Sequence, residues 1–258
     1  MKKISYQENY SLLHSGRVLN EKRRFRKAEQ IILIIQDYLT KRNHNTDCSK
    51  FKVLDIGCST GMIDVKLSKY FNHITGIDID ENALSIAKEK YNKKNITYKY
   101  GNIDDIMTEN KYDLIICNSV LEHVPNQKIL LESIRDHLKD DGICFLSVPN
   151  KFTITKEPHY DLYFLSWFPS IISNLYLRIT NKGTLYFESP PSFSKLKKLC
   201  SKFDITNYTI LRMKYPEKFA LDYRIRKIRF ITILPIWSLK ILSLISPSFV
   251  FILSKKYD

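Results

Sequence analysis

A glycine-containing loop that follows an apolar run is the first feature of this sequence that could do chemistry. In VLDIGCSTG (residues 53–61), the apolar run carries Asp55 and leads into Gly57, with Gly61 four positions later. Glycine has no side chain, so the backbone can turn tightly there and approach a ligand closely. A nucleoside triphosphate loop would continue with lysine and Ser/Thr, but Met62 stands there. Because the spacing also differs from the G-x-G-x-x-G of dinucleotide loops, a ligand of another class is predicted.

The elements that must position this loop alternate regularly along the chain. Between residues 51 and 150, short apolar segments predict strands and amphipathic segments predict helices. The predicted strands are 51–57, 73–79, 96–102, 112–120 and 142–150, and the predicted helices are 62–71, 81–91 and 126–138. Such alternation is typical of βαβ units and of a parallel sheet covered by helices on both faces. Ligands of these sheets bind at the carboxyl ends of the strands, where the loop lies.

The segments on either side of this alternation are predicted to complete the fold. Residues 21–42 predict a helix with a basic first half and an apolar face that packs across the domain. Residues 156–180 are aromatic and apolar, 192–203 predict a helix, and 204–213 predict the sixth strand. The last strand is predicted at 248–256, after an insertion longer than ordinary connections.

Three motifs, VLDIGCSTG, GIDID and YDLIICNSVLEHV, resemble in order and spacing the class I S-adenosylmethionine-dependent methyltransferases. The resemblance covers residues 50–150 in detail and points to the small-molecule type, similar to the O-methyltransferases of ubiquinone biosynthesis. The later segment HYDLYFLSWFP is similar to one in methyltransferases associated with bacterial surface-polysaccharide synthesis. The resemblance implies an α/β fold with a doubly wound, mostly parallel seven-stranded sheet of the Rossmann-like methyltransferase type, an N-terminal helix and helical apolar insertions.

The resemblance also implies S-adenosyl-L-methionine as the cofactor and indicates its binding residues. Asp55 stands where the family places an acid near the cofactor's ammonium group, and Asp78 stands where a carboxylate accepts hydrogen bonds from the ribose hydroxyls. Asn102 stands where many relatives have an acid that reads the adenine amino group. The predicted cofactor-binding residues are Asp55, Gly57, Cys58, Gly61, Asp78, Ile79, Asn102, Ile103 and Asn118. Relatives usually carry a further glycine between Gly57 and Gly61, which this chain lacks.

Two histidines are the candidate catalytic residues. Either His123 or His159 could take the proton that an acceptor hydroxyl loses, although holding the reactants in line is often sufficient for methyl transfer. Some relatives bind a divalent metal through an E-x-x-E-H motif at this place. Here Ser119 replaces the first acid, which leaves Glu122 and His123 as at most two ligands. We therefore predict no metal.

The net charge of +14 is concentrated in the C-terminal part of the chain. Residues 151–258 hold 18 Lys and Arg against 7 Asp and Glu, a net charge of +11. Such a surface attracts nucleic acid, anionic lipid or an acidic substrate. Nucleic acid has little support, because no N-P-P-Y-like tetrapeptide follows the fourth strand and no separate nucleic-acid module is present.

A second apolar stretch follows a basic cluster formed by Arg224, Arg226, Lys227 and Arg229. Lys240 and two prolines interrupt this stretch, so it is too short to span a membrane. Residues 224–245 fit a helix lying in a membrane interface, the apolar wall of a lipid-like pocket, or a helix packed on the core.

Cysteine usage and the N-terminus bear on the compartment. The five cysteines lie far apart with no C-x-x-C pair, which argues against a disulfide framework and a zinc site. No apolar segment follows the N-terminal lysines, which argues against a cleaved signal peptide. A cytoplasmic protein is predicted, with a position at the inner face of the membrane left open.

The predicted organisation is an N-terminal helical extension (1–50), an S-adenosylmethionine-binding core (51–150) and a region of substrate-cap insertions with the last two strands (151–258). The predicted function is methyl transfer, foremost to oxygen, on a small-molecule, glycan or lipid-linked acceptor. The alternative is a catalytically silent methyltransferase-like fold that binds a partner through its basic C-terminal part. The sequence assigns neither the acceptor nor the oligomeric state.

Overall fold

The computed structural model describes residues 3–42, 47–221 and 230–256. Its strands are β1 (Lys52–Ile56), β2 (His73–Asp78), β3 (Ile96–Tyr100), β4 (Tyr112–Asn118), β5 (Leu138–Pro149), β6 (Phe203–Asn207) and β7 (Ser248–Lys255). They form one seven-stranded sheet in the order β3-β2-β1-β4-β5-β7-β6. Strands β1 to β5 are parallel, and β7 runs antiparallel to both β5 and β6. The predicted mostly parallel seven-stranded sheet is therefore confirmed.

The described helices before the fifth strand are α1 (Lys3–Glu8), α2 (Tyr10–Leu13), α3 (Ser15–Val18), α4 (Glu21–Lys41), α5 (Met62–Leu67), α6 (Glu81–Lys90) and α7 (Gln127–His137). Those after it are α8 (Ser170–Ile179), α9 (Phe193–Leu199), α10 (Tyr208–Lys214), α11 (Phe230–Ile233) and α12 (Ile236–Ser243). None of the described helices is both long enough and apolar enough to cross a bilayer.

The sheet is buried on both faces. In β4 the four consecutive residues from Leu114 to Cys117 are fully buried, as expected for a parallel strand with a helical layer on each side. One buried apolar cluster joins β1, β2 and β4 to α4 and α5, and a second lies on the opposite face with α7 and α9. The chain runs outward from β1 to β3 and returns to β4, so strand order reverses between β1 and β4.

Helix α4 matches the predicted helix at 21–42 and crosses one face of the sheet. It begins at Asn20, whose side chain accepts a hydrogen bond of 3.0 Å from the Arg23 amide and so caps the first turn. Ile31, Ile34 and Ile35 are fully buried in the cluster on that face. The apolar second half of the helix therefore fixes it to the sheet.

The predicted sixth strand at 204–213 is wrong in its second half. Strand β6 ends at Asn207, and helix α10 follows at once. The Asn207 side chain accepts a hydrogen bond of 2.9 Å from the Thr209 amide, which caps that helix. The hydroxyl of Tyr208 donates to Asp37 in α4 at 2.8 Å. The cap at Asn207 favours a helix in this apolar segment, and the Tyr208 contact holds that helix against α4.

Candidate active site

A cavity of about 450 Å³ opens at the carboxyl ends of β1, β2 and β4. Gly57, Asp78 and Asn118, which follow or end these three strands, all line it. Because strand order reverses between β1 and β4, the cavity occupies the place where open α/β sheets bind their ligands. Its volume lies within the usual range for small-molecule sites, roughly 300–1,000 Å³.

The loop after β1 requires glycine at Gly57. Its φ of +71° lies in the left-handed region, and its amide donates a hydrogen bond of 2.8 Å to the Ile77 carbonyl. A Cβ atom at this position would lie 2.5 Å from a methyl group of Val120. Gly57 therefore places bare backbone on the cavity wall.

Two further positions in this loop also have left-handed backbone. Ser59, with φ +53°, stands between the glycines where relatives usually carry another glycine. Its amide donates to Asp78 at 2.7 Å, which holds the loop against the end of β2. At Gly61, with φ +72°, an added Cβ would overlap the Tyr98 hydroxyl. Gly61 does not line the cavity and instead allows close packing against β3.

Asp78 presents its carboxylate to the cavity. One oxygen accepts the Ser59 amide at 2.7 Å and the other accepts the Asp80 amide at 2.9 Å. Each carboxylate oxygen has a second lone pair, so both can still accept ligand hydroxyls. Burial raises the pKa of Asp78, and the backbone amides partly offset that effect.

The structure brings most of the predicted site residues together. Those that line the cavity are Gly57, Asp78, Ile79, Asn102, Asn118, His123 and His159. The other predicted residues, Asp55, Cys58, Gly61 and Ile103, do not line it.

Three of those four residues are buried side chains with neighbours inside the protein. Asp55 is buried beside Asp64, and burial raises the pKa of both carboxyl groups. Cys58 is buried near the same pair, and Ile103 belongs to the core cluster on the opposite face. The resemblance placed them in the site because they belong to the motifs that other site residues share.

S-adenosylmethionine fits the residues present. The side-chain oxygen of Asn118 is buried on the cavity wall and has no hydrogen-bond partner among the described residues. Such an orphaned acceptor is costly unless a ligand donates to it. Asp78 presents carboxylate acceptors that match the hydroxyls of a ribose, and Ile79 presents an apolar surface that matches a base.

The other side of the cavity holds the two candidate histidines with buried acids. The Nδ1 atom of His159 lies 2.6 Å from Oε1 of Glu157, and the two imidazole rings of His123 and His159 are 5.0 Å apart. Glu122 is fully buried, and neither of its oxygens has a hydrogen-bond partner among the described residues. Burial raises the pKa of Glu122 to about 8.

These side chains also form a candidate metal cluster. Glu122, His123 and His159 each offer one ligand atom, and the three atoms lie within 4.8 Å of one another. The inference that at most two ligands meet here is therefore wrong, because the fold brings in His159 from beyond the fifth strand. That the chain uses no metal stays a prediction.

The N-terminal helices form a wall of the cavity that sequence analysis did not find. The Gln7 side chain lies 3.0 Å from Nδ1 of His123, and the Tyr6 hydroxyl donates to Glu188 at 2.8 Å. Just after β2, the Ser11 amide donates a hydrogen bond of 2.6 Å to the Asp80 side chain. Helices of four to six residues carry too little periodicity to be recognised from sequence.

Comparisons with known proteins agree with this geometry. A family model described as "Methyltransferase domain" matches residues 20–208. The chain is 32% identical over 161 residues to the ubiquinone biosynthesis O-methyltransferase of Glaesserella parasuis, covering 59% of this chain and 64% of that protein. It is 34% identical over 104 residues to the malonyl-[acyl-carrier protein] O-methyltransferase of Bacillus cereus, covering 40% and 39%. The chain thus spans less than two thirds of the length of either relative.

Solved structures share the fold. The plantazolicin methyltransferase BpumL in complex with SAH superposes with a TM-score of 0.57 at 18% identity, covering 98% of this chain and 90% of that chain. The magnesium protoporphyrin IX methyltransferase of Synechocystis gives a TM-score of 0.56 at 13% identity, covering 98% and 97%. The predicted fold class is confirmed.

Proposed function

Because the chain belongs to the methyltransferase-domain family, we propose that it transfers a methyl group from S-adenosyl-L-methionine to an oxygen atom of its acceptor. The predicted family is thereby confirmed, and its cofactor is S-adenosyl-L-methionine. The observation that carries the proposal is the cavity at the reversal of strand order, where Gly57, Asp78 and Asn118 meet. These intact residues favour a working site over the silent fold.

The cofactor, when bound, supplies a methyl group made electrophilic by a sulfonium. The chain binds and orients it: Asp78 accepts the ribose hydroxyls, and the Gly57 backbone allows close approach. Asn118 supplies a buried acceptor at the end of β4. Positioning of this kind is a large part of catalysis when the cofactor provides the reactivity.

His159 takes the proton of the acceptor hydroxyl in this proposal. Glu157 accepts the hydrogen of Nδ1, which leaves Nε2 as the basic atom. Burial opposes the charged form, but the hydrogen bond and charge of Glu157 and the charge of Glu188 raise the pKa of His159. His123, whose ring lies 5.0 Å from that of His159, borders the same space and is held by Gln7.

Oxygen is the proposed methyl acceptor atom. Both curated relatives are named O-methyltransferases. The acceptor is a small molecule or the headgroup of a glycan or lipid-linked intermediate, held between the cavity and the cap insertions of residues 151–258.

A lipid-linked acceptor is supported by the cap segments, which we define as residues 165–179 and 236–246. Ile171, Ile179 and Trp237 are 81%, 74% and 66% exposed. The two segments are joined through residues 150–154: the Trp167 ring nitrogen donates to the Thr153 carbonyl at 2.8 Å, and the Ile154 amide donates to the Ile245 carbonyl at 3.4 Å. Exposed apolar side chains on two linked insertions indicate a surface that binds an apolar partner, such as a lipid.

The charge near the cap segments suits an anionic lipid surface. Residues 230–256 contain no Asp or Glu, and Lys151 and Lys156 lie over the rings of Phe152 and Tyr163 at 5.5 and 5.6 Å. Peripheral contact with a membrane is therefore part of the proposal. The basic cluster predicted to contribute, at 224–229, lies outside the described residues.

Titration with S-adenosylhomocysteine by calorimetry tests the proposed cofactor site. We expect a Kd of tens of micromolar or tighter, which corresponds to a favourable binding free energy on the order of 6 kcal/mol or more. Asp78→Ala should abolish or greatly weaken binding, whereas Asp136→Ala, at an exposed position on α7, should not change it. No binding by the folded wild-type protein would overturn the proposal.

A further inference from the structure

Four cationic side chains line the cavity. Arg17 comes from α3, and Arg23, Arg24 and Lys27 come from the first two turns of α4. Arg23 and Lys27 are four residues apart and so lie on one face of the helix. The basic first half of α4 is therefore directed at the ligand site, while its apolar second half is held in the core.

These cations lack carboxylate partners. Within the described residues, no ion pair joins Arg17, Arg23, Arg24 or Lys27 to a carboxylate; the ion pairs seen there involve other lysines, such as Lys41, Lys139 and Lys218. Arg17 has a buried Nη1 atom with no hydrogen-bond partner among the described residues. Arg212, whose charge acts on Lys27, has a buried Nε atom that also has no partner there. Buried donors of this kind are costly unless a ligand accepts from them.

The electrostatic surroundings are repulsive. Burial, together with the positive charges of Arg212, Arg23 and Arg24, lowers the pKa of Lys27 to about 7. Burial likewise lowers the pKa of Arg212 to about 10. An anion placed among these groups would relieve both the repulsion and the missing hydrogen bonds.

Two of the acids that line the cavity, Asp78 and Asp80, already accept hydrogen bonds from backbone amides. Glu8, Asp78 and Asp80 line the cavity with the cations. Asp78 accepts two backbone amides, and Asp80 accepts the Ser11 and Ala83 amides at 2.6 and 3.1 Å. The charges of Asp55 and Asp78 act on Arg24, whereas the charges that act on Lys27 are all positive.

The cofactor does not neutralise this group. S-adenosylmethionine carries a carboxylate, an ammonium and a sulfonium, a net charge of about +1 at neutral pH. Its carboxylate can engage at most one or two of the cations, and its other charges add to theirs. The missing negative charge must therefore come with the second substrate.

We propose that Arg17, Arg23 and Lys27, which line the cavity, bind a phosphate ester or diphosphate of the acceptor. This inference deepens the proposed methyl transfer and rests on it. Guanidinium groups match phosphate oxygens with paired hydrogen bonds, and a lysine adds a point charge. The acceptor then lies with its anionic group on the α4 wall and its hydroxyl toward His159.

Calorimetric titration of inorganic pyrophosphate into protein saturated with S-adenosylhomocysteine tests this site. We expect binding that is weakened about tenfold or more in Arg17→Gln and in Lys27→Gln. Lys22→Gln, which removes an exposed charge from the same helix but outside the cavity, should bind pyrophosphate like the wild type. S-adenosylhomocysteine affinity should change less than about twofold in all three variants.

Two results would overturn the proposal. One is no pyrophosphate binding by the saturated wild-type protein. The other is a loss of S-adenosylhomocysteine affinity in the variants with unchanged pyrophosphate binding, which would assign the cations to the cofactor carboxylate. If the wild-type protein binds no S-adenosylhomocysteine, the proposed function fails, and titration of the ligand-free protein decides the anion site by itself.

Methyl-transfer assays distinguish the two sources of such an acceptor. A water-soluble nucleoside diphosphate sugar and a polyprenyl diphosphate-linked sugar present the same anionic group. If the protein methylates one of these two compounds, and if that turnover is lost in Lys27→Gln but kept in Lys22→Gln, the anion site is supported. The compound that is methylated then identifies the source of the anionic group. Turnover of a phosphate-free sugar at the same rate as the diphosphate sugars would overturn the proposed anion site.

Discussion

The Nδ1 atom of His159 lies 2.6 Å from the Oε1 atom of Glu157, with both side chains buried at the edge of the cavity. Glu157 is itself held in place, because its other oxygen accepts the His159 and Tyr160 amides at 2.7 and 2.9 Å. One carboxylate thus fixes both the backbone turn and the imidazole. This geometry defines which ring nitrogen can act as a base.

Glu157→Gln should lower kcat and shift its pH dependence. In the wild type, kcat should rise with pH as His159 loses its proton, at a pKa above the usual value of about 6.5. Removing the carboxylate lowers that pKa, so the rising limb should move to lower pH while kcat falls, by at most the 10²–10⁴-fold typical of a general base. The measurement is kcat against pH from 5 to 9.

Glu109→Gln, at an exposed site away from the cavity, is the control for that experiment and should keep the wild-type profile. A uniform loss of activity with an unmoved pH limb would show that Glu157 acts only on structure.

Gly57→Ala should destabilise the protein and weaken cofactor binding. The added methyl group would clash with Val120, and alanine is strained at φ +71°. Together these effects should lower the free energy of unfolding by about 1–3 kcal/mol. Urea unfolding and S-adenosylhomocysteine titration give the two effects. Gly16→Ala is the matched control, because nothing lies within 4 Å of its added Cβ. Equal stability of the two variants would contradict the packing described here.

Asp37→Asn should destabilise the protein at neutral pH and much less in acid. Asp37 is buried in α4 and accepts from Lys41 at 2.7 Å, Lys218 at 2.5 Å and Tyr208 at 2.8 Å. Burial raises its pKa, but these contacts outweigh burial and lower it overall. The charged form therefore stabilises the fold above the unfolded pKa of about 3.9, and that contribution is lost as pH falls through the folded pKa.

In urea unfolding, we expect Asp37→Asn to lower the free energy of unfolding by about 2–4 kcal/mol at pH 7. This difference from the wild type should become smaller toward pH 3. Asp204→Asn, at an exposed position on β6, should change little at either pH. A difference from wild type that is independent of pH would sink the ionic explanation.

The cap segments should bind anionic vesicles. We expect the protein to sediment with vesicles of phosphatidylglycerol and phosphatidylcholine but much less with phosphatidylcholine alone. Ile171→Asp combined with Trp237→Asp should reduce sedimentation severalfold, because both side chains are more than half exposed and their burial in lipid is lost. Met107→Asp, 73% exposed elsewhere, is the control. Equal binding by all variants would exclude the cap segments.

The sequence predicted the sheet, and the positions of Gly57 and Asp78 at the carboxyl ends of two strands, for a physical reason. Fully buried parallel strands need continuous apolar runs, and the left-handed backbone at position 57 favours glycine. At the end of β2, the Asp78 carboxylate accepts two backbone amides. Such local requirements are visible in one sequence.

Contacts distant in sequence explain what was missed. Asp55 was assigned to the ligand, but its burial beside Asp64 is set by the packing of α5 on the sheet. The partnership of Tyr6 with Glu188 joins residues 182 positions apart. Ser59 adopts left-handed backbone without being glycine, so composition gave no sign of that turn.

The N-terminal segment touches both halves of the cavity. Its Ser11 amide is bonded to Asp80 beside the cofactor end, and its Tyr6 hydroxyl is bonded to Glu188 beside the histidines. A ligand that shifts this segment at one end changes the free energy of binding at the other. By thermodynamic reciprocity, the cofactor then alters acceptor affinity by the same factor as the acceptor alters cofactor affinity. Cooperativity between the two substrates is thus available within a single chain.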